Sequence, residues 1–519
     1  MKAKPAGLTM AAVLVMAPAI AFAQGATFQS TNTDTGRNWV QGHWEVIEGT
    51  SDRDYPGEGD TAIIASGTVV RMTEDHQAAH LIVEGEIRGS TTISWGGGVP
   101  LSHTFGSVTV KDGGIWRLAD GVGEGGGSET IVPIETVVTG DVVIENGGNL
   151  NAYRLNGADR ATLVVEGDFR CETTAFRFAV FPRPNWTLKF DGDEPSTMYL
   201  TAGEASRNFT NIVIAEGKEV TISTVQGVYL EEDGTLAAED DATLNFVDTA
   251  LVFGPGSVAI DSGATVGFAG PGGFSNAIFQ VAGTRTFGPG LNAVYTAAGG
   301  AQVGDLAPET MGSLTVDTPD FVFLNKDLTV NDSLVLVNGR LDTYDPLADE
   351  QNTLTLAAEA SVERTNGWLT GMLARAIDAS QTGPRVLPLG TDSVYTPVVV
   401  DITGAGTGTG VLMASTNAEA FDPAPPMPAL PRYWTVNADG ISGYTASLSL
   451  TWAEGDAAGL DTDLLRAARF TAPNTFDVLP GQSVDAGART VTVPGVTALS
   501  DWLIVEDADA TSVPGWEMY

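Results

Sequence analysis

A short unit of strand and glycine turn, repeated within residues 141–171, constrains this chain more than any other feature. The apolar runs Val142–Ile144 and Leu163–Val165 are each followed by an acidic residue and a glycine-containing turn, at Glu145–Gly148 and Glu166–Asp168. β-Branched residues suit a pleated surface, and glycine reverses the chain because it accepts a positive φ. One such unit cannot bury its apolar face alone, whereas copies stacked at a period of about twenty residues can. The repeat predicts an architecture but neither a ligand nor a reaction.

Comparable units occupy the middle of the chain, and apolar residues at helical spacing are rare. The spacing between neighbouring apolar runs varies from about 8 to 34 residues, which indicates loops inserted at the corners of coils. We therefore expect an all-β fold whose main part is a parallel β-solenoid (β-helix) over residues 51–360. The polar, tryptophan-containing residues 24–50 are expected to cap its first coil, because an open coil end exposes apolar side chains and strand edges.

The C-terminal third has a different pattern. Residues 361–420 are expected to form a transitional β region, and residues 421–431 (FDPAPPMPALP) a hinge too rich in proline for a helix or a central strand. Residues 432–508 contain several alternating runs, of which Thr445–Thr451 alternates with a period of two. This region predicts a small antiparallel β-sandwich. Residues 509–519 are expected to be a linker or the start of a further module.

The first 23 residues have the pattern of a secretory signal peptide. Lys2 and Lys4 precede an apolar core at Leu8–Ile20, and Ala21–Ala23 is a cleavage site of small residues. No other run approaches the roughly 18 apolar residues that a membrane span needs. The single cysteine, Cys171, cannot form a disulfide framework. We therefore expect a secreted, extracellular or cell-surface protein without a transmembrane segment.

The chain is strongly acidic and poor in lysine. Its formal net charge is −39, which repels nucleic acid and anionic lipid. Beyond the signal peptide the lysines are Lys111, Lys189, Lys218 and Lys326. Such a surface is typical of salt-adapted bacterial proteins, although an ordinary acidic secreted protein encoded by a high-GC genome would have a similar composition.

Two stretches resemble known extracellular proteins. Gly57-Glu58-Gly59-Asp60 before an apolar strand, with Leu81–Gly89 (LIVEGEIRG), resembles the eight-glycine module of β-solenoid proteins. The order of strands in residues 312–508, with the segments Trp368–Arg375 and Tyr395–Val400, resembles secreted β-solenoid surface and adhesin-type proteins of the Bacteroidetes and their relatives. This resemblance implies a structural or adhesive role at the cell surface.

Candidate metal ligands are few. His76 and His80 are four residues apart and on a helix would face one metal ion, although the segment Thr73–His80 is expected to be a solvated corner loop between two strands. Asp191 and Asp193, in a turn rich in acids and glycine, could supply oxygen ligands to calcium. No calcium-binding or zinc-protease motif contains either pair, so we expect no cofactor, with calcium as the alternative.

Candidate catalytic carboxylates occur in two clusters. Glu231 and Asp233 form one with the intervening Glu232, and Asp240 and Asp241 form the other. A glycoside hydrolase or polysaccharide lyase on a β-helix needs close acids and a basic residue along one groove, and neither cluster has a neighbouring Arg or Lys in sequence. Acidic residues at turns more often lie at solvated corners of a coil than in an active site, so the case for these four residues as catalytic groups is weak.

The leading hypothesis is therefore a secreted or cell-surface structural protein of adhesin type without catalytic activity. Its partners would be cell-surface or matrix polymers or glycans, and not nucleic acid. The alternative is an extracellular polysaccharide-active enzyme or a glycan-binding protein on a β-helix.

We predict that molar sodium chloride raises the melting temperature of the protein or leaves it unchanged. The salt screens repulsion among the many like charges of a chain with a net charge of −39. Thermal melts monitored by circular dichroism from low to molar salt measure the effect. A melting temperature that falls steadily over that range would contradict salt adaptation.

Overall fold

A computed structural model describes residues 25–31, 37–41, 44–90, 100–120, 134–153, 161–172, 186–201, 208–224, 227–247, 250–471 and 475–507. The expected signal peptide (residues 1–23) and the segment 509–519 lie outside the described residues. Within these ranges the chain forms β-strands and two 3₁₀ helices, Trp39–Gln41 and Thr462–Leu464, and no α-helix. The all-β prediction is confirmed. No helix in the described residues is long and apolar enough to cross a membrane.

The strands of the first part of the chain are short, and most alternate between buried and partly exposed residues. They are β1 (Thr27–Ser30), β2 (Arg37–Asn38), β3 (Trp44–Glu48), β4 (Thr61–Ile64), β5 (Val69–Met72), β6 (His76–Val83), β7 (Glu86–Ser90), β8 (Leu101–Val110), β9 (Ile115–Asp120), β10 (Ile134–Val138), β11 (Val142–Ile144), β12 (Asn149–Tyr153), β13 (Ala161–Val165), β14 (Phe169–Cys171) and β15 (Trp186–Phe190).

The strands of the middle part include two long ones, β28 and β29. They are β16 (Ser196–Leu200), β17 (Asn208–Ile214), β18 (Glu219–Thr224), β19 (Val228–Ala238), β20 (Thr243–Phe246), β21 (Val252–Gly254), β22 (Ser257–Ile260), β23 (Thr265–Phe268), β24 (Phe279–Val281), β25 (Arg285–Phe287), β26 (Asn292–Tyr295), β27 (Ala301–Gln302), β28 (Thr310–Phe323), β29 (Leu328–Asp342), β30 (Tyr344–Asp345) and β31 (Glu350–Gln351).

The remaining strands lead into an antiparallel arrangement. They are β32 (Thr353–Leu356), β33 (Ser361–Arg364), β34 (Trp368–Thr370), β35 (Met372–Asp378), β36 (Gly383–Leu387), β37 (Leu389–Gly390), β38 (Val398–Gly404), β39 (Thr409–Asn417), β40 (Ala429–Asp439), β41 (Thr445–Thr451), β42 (Leu465–Thr471), β43 (Thr475–Val478), β44 (Ser483–Asp485), β45 (Thr490–Val496) and β46 (Asp501–Glu506).

Most pairings between β4 and β37 are parallel and join strands that are not consecutive in the chain. One ladder joins, in order, β1, β4, β6, β8, β11, β14, β16, β18, β20, β23, β26, β28, β29 and β33. A second joins β6, β8, β10, β13, β15, β17, β19, β22 and β25. From β11 to β20, apart from β12, successive strands belong to the two ladders in turn. The result is a large, mostly parallel sheet.

A smaller parallel sheet lies near the N-terminus, with strand order β12-β9-β7-β5-β2. Val70, Ile87, Trp116 and Leu150 lie side by side in it and are almost fully buried. In β5, β7 and β9 the residues next to them therefore point outward, because side chains alternate between the two faces of a strand.

The turns between strands are tight, as the sequence predicts. Glu145–Gly148 forms a turn in which the Gly148 N–H donates to the Glu145 carbonyl at 2.9 Å. Gly147 has a φ of 89°, a conformation that favours glycine. Asp241 occupies a comparable turn with a φ of 57°, which Asp tolerates better than most side chains.

The core is a set of columns, because in-register strands place equivalent side chains above one another. Phe246, Phe268 and Tyr295 are consecutive in one column, with ring centroids 6.0 Å and 5.3 Å apart. Phe268 also meets Phe274 and Phe279 edge to face. The Tyr295 hydroxyl donates to the Val303 carbonyl at 3.0 Å, and complete burial raises its pKa well above the usual range.

Antiparallel pairing takes over from β35 onward. One set joins β35, β39, β40, β46, β42 and β43, and a separate sheet has the order β36-β38-β41-β45-β44. β40 begins at Ala429, inside the segment 421–431 that was expected to be a hinge. Pro431 falls where the register with β46 is irregular, so its missing N–H breaks no regular ladder bond. Phe421 packs against Tyr433, Phe470 and Phe476.

We predict that Phe268→Ala lowers the free energy of unfolding by about 3–5 kcal/mol, because it leaves a cavity within the aromatic column. Denaturant titration followed by circular dichroism measures this loss. Phe253→Ala is the control, since Phe253 is partly exposed and meets Tyr229 edge to face. An equal loss for both variants would contradict the special role of the column.

Candidate functional site

The structure places His76 and His80 in β6 and not in a corner loop, so that expectation is wrong. His76 is 4% exposed, whereas His80 is exposed, with its Nδ1 2.8 Å from Ser107 Oγ. The alternation of β6 shifts between the two residues, and their side chains therefore point to different sides of the sheet. The two imidazoles are not presented together to a metal ion.

His76 instead stacks on His103, which the sequence did not single out as a partner. The two residues are in register on β6 and β8, and their ring centroids are 5.7 Å apart with an angle of 5° between the planes. Trp39 covers the other face of His76 at 5.2 Å. A metal ion binds an imidazole nitrogen in the plane of the ring, and these two nearly parallel planes do not meet at a common ion. The pair is a packing element.

Burial dominates the electrostatics of this pair. It lowers the pKa of His76 to about 3, helped by the neighbouring His103 and opposed by Asp75. Burial also lowers the pKa of His103 to about 4, again opposed by Asp75. Both rings are therefore neutral at neutral pH. Neither ring nitrogen of His103 has a hydrogen-bond partner in the described structure, nor does Nε2 of His76.

Asp191 and Asp193 are each paired with a lysine. Asp191 accepts from Lys189 Nζ at 2.7 Å, and Asp193 accepts from Lys218 Nζ at 2.7 Å. The hydrogen bond from Lys218 lowers the pKa of Asp193. Among the described residues, no group of three or more His, Cys, Asp or Glu side chains is placed to hold a metal ion.

The two acidic clusters lie at opposite ends of one strand segment. Glu231 and Asp233 precede the run Gly234–Ala238 of β19, and Asp240 and Asp241 follow it in a turn. That run is itself roughly 13 Å long at about 3.3 Å per residue, and the two clusters lie beyond its two ends. Paired glycosidase carboxyls are about 5–9.5 Å apart. The structure does not bring the two clusters together.

Asp240 takes part in a hydrogen bond between neighbouring turns, and it is one of several turn residues that do. Its Oδ1 accepts from the Gly263 N–H at 2.9 Å. The same contact, a turn carboxylate accepting a backbone N–H from the next coil, occurs at Asp141 with Asp168 (2.9 Å), at Asp168 with Thr197 (2.7 Å) and at Asp327 with Thr353 (2.8 Å). These carboxylates hold turns in register.

A cleft of about 570 Å³ lies beside β1, lined by Gly25, Thr50, Asp52, Arg53 and Asp60 among others. Both carboxylate oxygens of Asp60 are engaged, because they accept from the N–H groups of Ala26 and Gly57 at 2.9 Å each. Asp60 is therefore a structural residue in the lining of the cleft.

An arginine column on the small parallel sheet is the feature that sequence reasoning missed. Arg71, Arg88 and Arg117 are in register on β5, β7 and β9, on the outward face. Glu86 contacts Arg88 Nε at 2.7 Å and Arg117 Nε at 2.5 Å. The signal in the sequence is an Arg between two apolar or small residues in three neighbouring strands: Val70-Arg71-Met72, Ile87-Arg88-Gly89 and Trp116-Arg117-Leu118.

Comparisons with known proteins do not assign the chain to a family. No protein-family model, no curated protein and no solved structure matches the chain. The functional argument therefore depends on the arrangement of residues.

We predict that the protein loses stability as the pH falls below about 6.5. Below that pH the unfolded chain binds a proton at each of two histidines of ordinary pKa. In the folded chain His103 binds its proton only near pH 4 and His76 only near pH 3. This contribution to stability is complete above pH 6.5, and its slope approaches about 2.7 kcal/mol per pH unit between the unfolded and folded values. Urea midpoints from pH 7 to pH 5 measure it.

His103→Leu tests the assignment, because Leu163 and Leu188 occupy the same column two and three strands further on. The variant should show about half the pH slope of the wild type. His80→Gln, at an exposed position of β6, the strand that carries His76, is the control and should keep the full slope. An unchanged slope in His103→Leu would exclude the buried pair as its source.

Proposed function

We propose that the chain is a secreted or cell-surface structural protein of adhesin type, without catalytic activity, built on a parallel β-solenoid followed by a small antiparallel β-sandwich. Successive strands that alternate between two parallel ladders support the solenoid. The first ladder contains 14 strands, which at about 4.8 Å per strand make a stack about 60 Å long.

One observation carries the proposal: turn carboxylates bind backbone N–H groups of the neighbouring coil. Asp240, a catalytic candidate, accepts from Gly263, and Asp141, Asp168 and Asp327 act in the same way. A carboxylate held by a backbone donor is suited to fixing register, and such bonds to a charged acceptor are stronger than neutral ones. These four carboxylates therefore serve the scaffold by holding neighbouring coils in register. The resemblance of residues 312–508 to surface and adhesin-type proteins of the Bacteroidetes also supports this role.

A panel of extracellular glycans tests the absence of catalysis. We expect no cleavage by the wild type or by the variant E231Q/D233N/D240N/D241N, in which Asn at position 240 keeps an acceptor oxygen for Gly263. Reducing-end and unsaturated-product assays measure cleavage. Cleavage by the wild type that is lost in a variant with an unchanged circular dichroism spectrum would favour a polysaccharide-active enzyme.

Two further measurements test the scaffold and its location. Small-angle X-ray scattering should give a radius of gyration well above the about 24 Å of a compact globular chain of 519 residues. Antibodies should label intact cells of the source organism or detect the protein in the medium. A compact particle would argue against the solenoid, and a protein confined to the cytoplasm would argue against the surface role.

A further inference from the structure

We propose that the arginine column (Arg71, Arg88 and Arg117) is a binding site for an acidic polysaccharide, whose carboxylate or sulfate groups pair with the guanidinium groups. The site goes beyond the structural role proposed above and does not depend on it.

The backbone presents the three side chains in a line. Adjacent parallel strands are about 4.8 Å apart, so the in-register positions on β5, β7 and β9 succeed one another at that spacing. The inward neighbours Val70, Ile87 and Trp116 are almost fully buried and hold the strands in place. The backbone that carries the three arginines is therefore ordered before any ligand arrives, which lowers the entropy cost of binding.

The column leaves one arginine without a protein partner. Glu86 pairs with Arg88 and with Arg117. Arg71 makes no hydrogen bond or ion pair in the part of the chain that the structure describes, although its Nε is buried from solvent. A buried donor without an acceptor costs free energy. The paired N–H donors of a guanidinium group match two oxygens of a carboxylate or sulfate group. Arg71 as a whole is partly exposed, so an oxyanion at the outer side of its guanidinium group would give this unpaired cation a partner.

The geometry and the charge favour a polysaccharide over other anions. A single small oxyanion reaches one or two neighbouring guanidinium groups, whereas a linear polymer with repeated anions can follow all three. Nucleic acid carries one charge per about 1.7 Å and is strongly repelled by a chain with a net charge of −39. A polymer with one anion per sugar is repelled less, and distant repulsion is screened beyond about 8 Å at physiological salt.

The surface beside the column also suits a sugar. Val69 and Ile115 are in register with Glu86 in the adjacent outward column, and both are partly exposed. Their apolar surface can pack against the C–H face of a pyranose ring while the ring's anionic group reaches an arginine. An acidic peptide has no such face.

Isothermal titration calorimetry of the full chain at about 0.15 M salt tests the site, since exposed charge pairs separated by more than about 8 Å are screened there. The probes are a short oligomer of galacturonic acid, dextran sulfate, an uncharged galactose oligomer and polyglutamate. We expect one or both acidic polysaccharides to bind, and the uncharged oligomer and polyglutamate to bind much more weakly or not at all.

Three variants locate the binding. Arg71→Gln should weaken it at least about tenfold, because a charge-assisted contact is lost. Glu86→Gln should strengthen binding, because it removes the carboxylate that competes with the ligand for Arg88 and Arg117. Arg170→Gln is the matched control: Arg170 also lies on a parallel strand, but its column neighbours are Val143 and Tyr199. It should leave the affinity unchanged.

Equal weakening by Arg71→Gln and Arg170→Gln would overturn the site, as would weaker binding by Glu86→Gln in a protein with an unchanged melting temperature. Polyglutamate binding as tight as that of the acidic polysaccharides would overturn the ligand class. Absence of binding by any probe would also overturn the proposal. None of these outcomes changes the results expected from surface labelling or scattering. The binding site and the structural role can therefore be rejected independently of each other.

Discussion

In-register parallel pairing of the backbone is the interaction on which the rest of this structure depends. Hydrogen bonds between β18, β20, β23 and β26 place equivalent residues directly above one another at about 4.8 Å. Each position in a coil therefore becomes a column through many coils. Apolar columns gain from this arrangement, as Phe246, Phe268 and Tyr295 show by stacking. In polar and charged columns, any buried side chain that lacks a hydrogen-bond or ion-pair partner lowers the stability of the fold.

The polar columns of the N-terminal part show both results. His76 and His103 stack inside the core, and burial keeps them neutral. Arg71, Arg88 and Arg117 lie outside, where Glu86 pairs with two of them. At the turns, carboxylates such as Asp168 accept backbone N–H groups of the next coil. One geometric rule thus explains a buried histidine pair, a partly exposed column of arginines and a series of structural acids in a chain whose net charge is −39.

The sequence predicted the parts of this structure that depend on neighbours in the chain. Period-two alternation and glycine turns indicated strands and reversals, and the turn at Glu145–Gly148 is where they placed it. The errors concern residues whose place depends on distant partners. His76 was expected in a solvated loop because the segment Thr73–His80 is short and lies between two strands, but His76 itself pairs with β8 as part of a strand. Ala429–Pro431 were expected in a hinge, but β40 begins there because β46 supplies a partner.

The all-β class, the position of many turns and the acidic character were therefore determined by the sequence alone, because local propensity and charge need no knowledge of register. The columns were decided only by the tertiary structure. His76 and His103 are 27 residues apart, Arg71 and Arg88 are 17 apart, and Arg88 and Arg117 are 29 apart, with another strand between the members of each arginine pair. Nothing local specifies which residue of one strand faces which residue of another. That choice is made by the hydrogen-bond register and by the apolar side chains that the register buries.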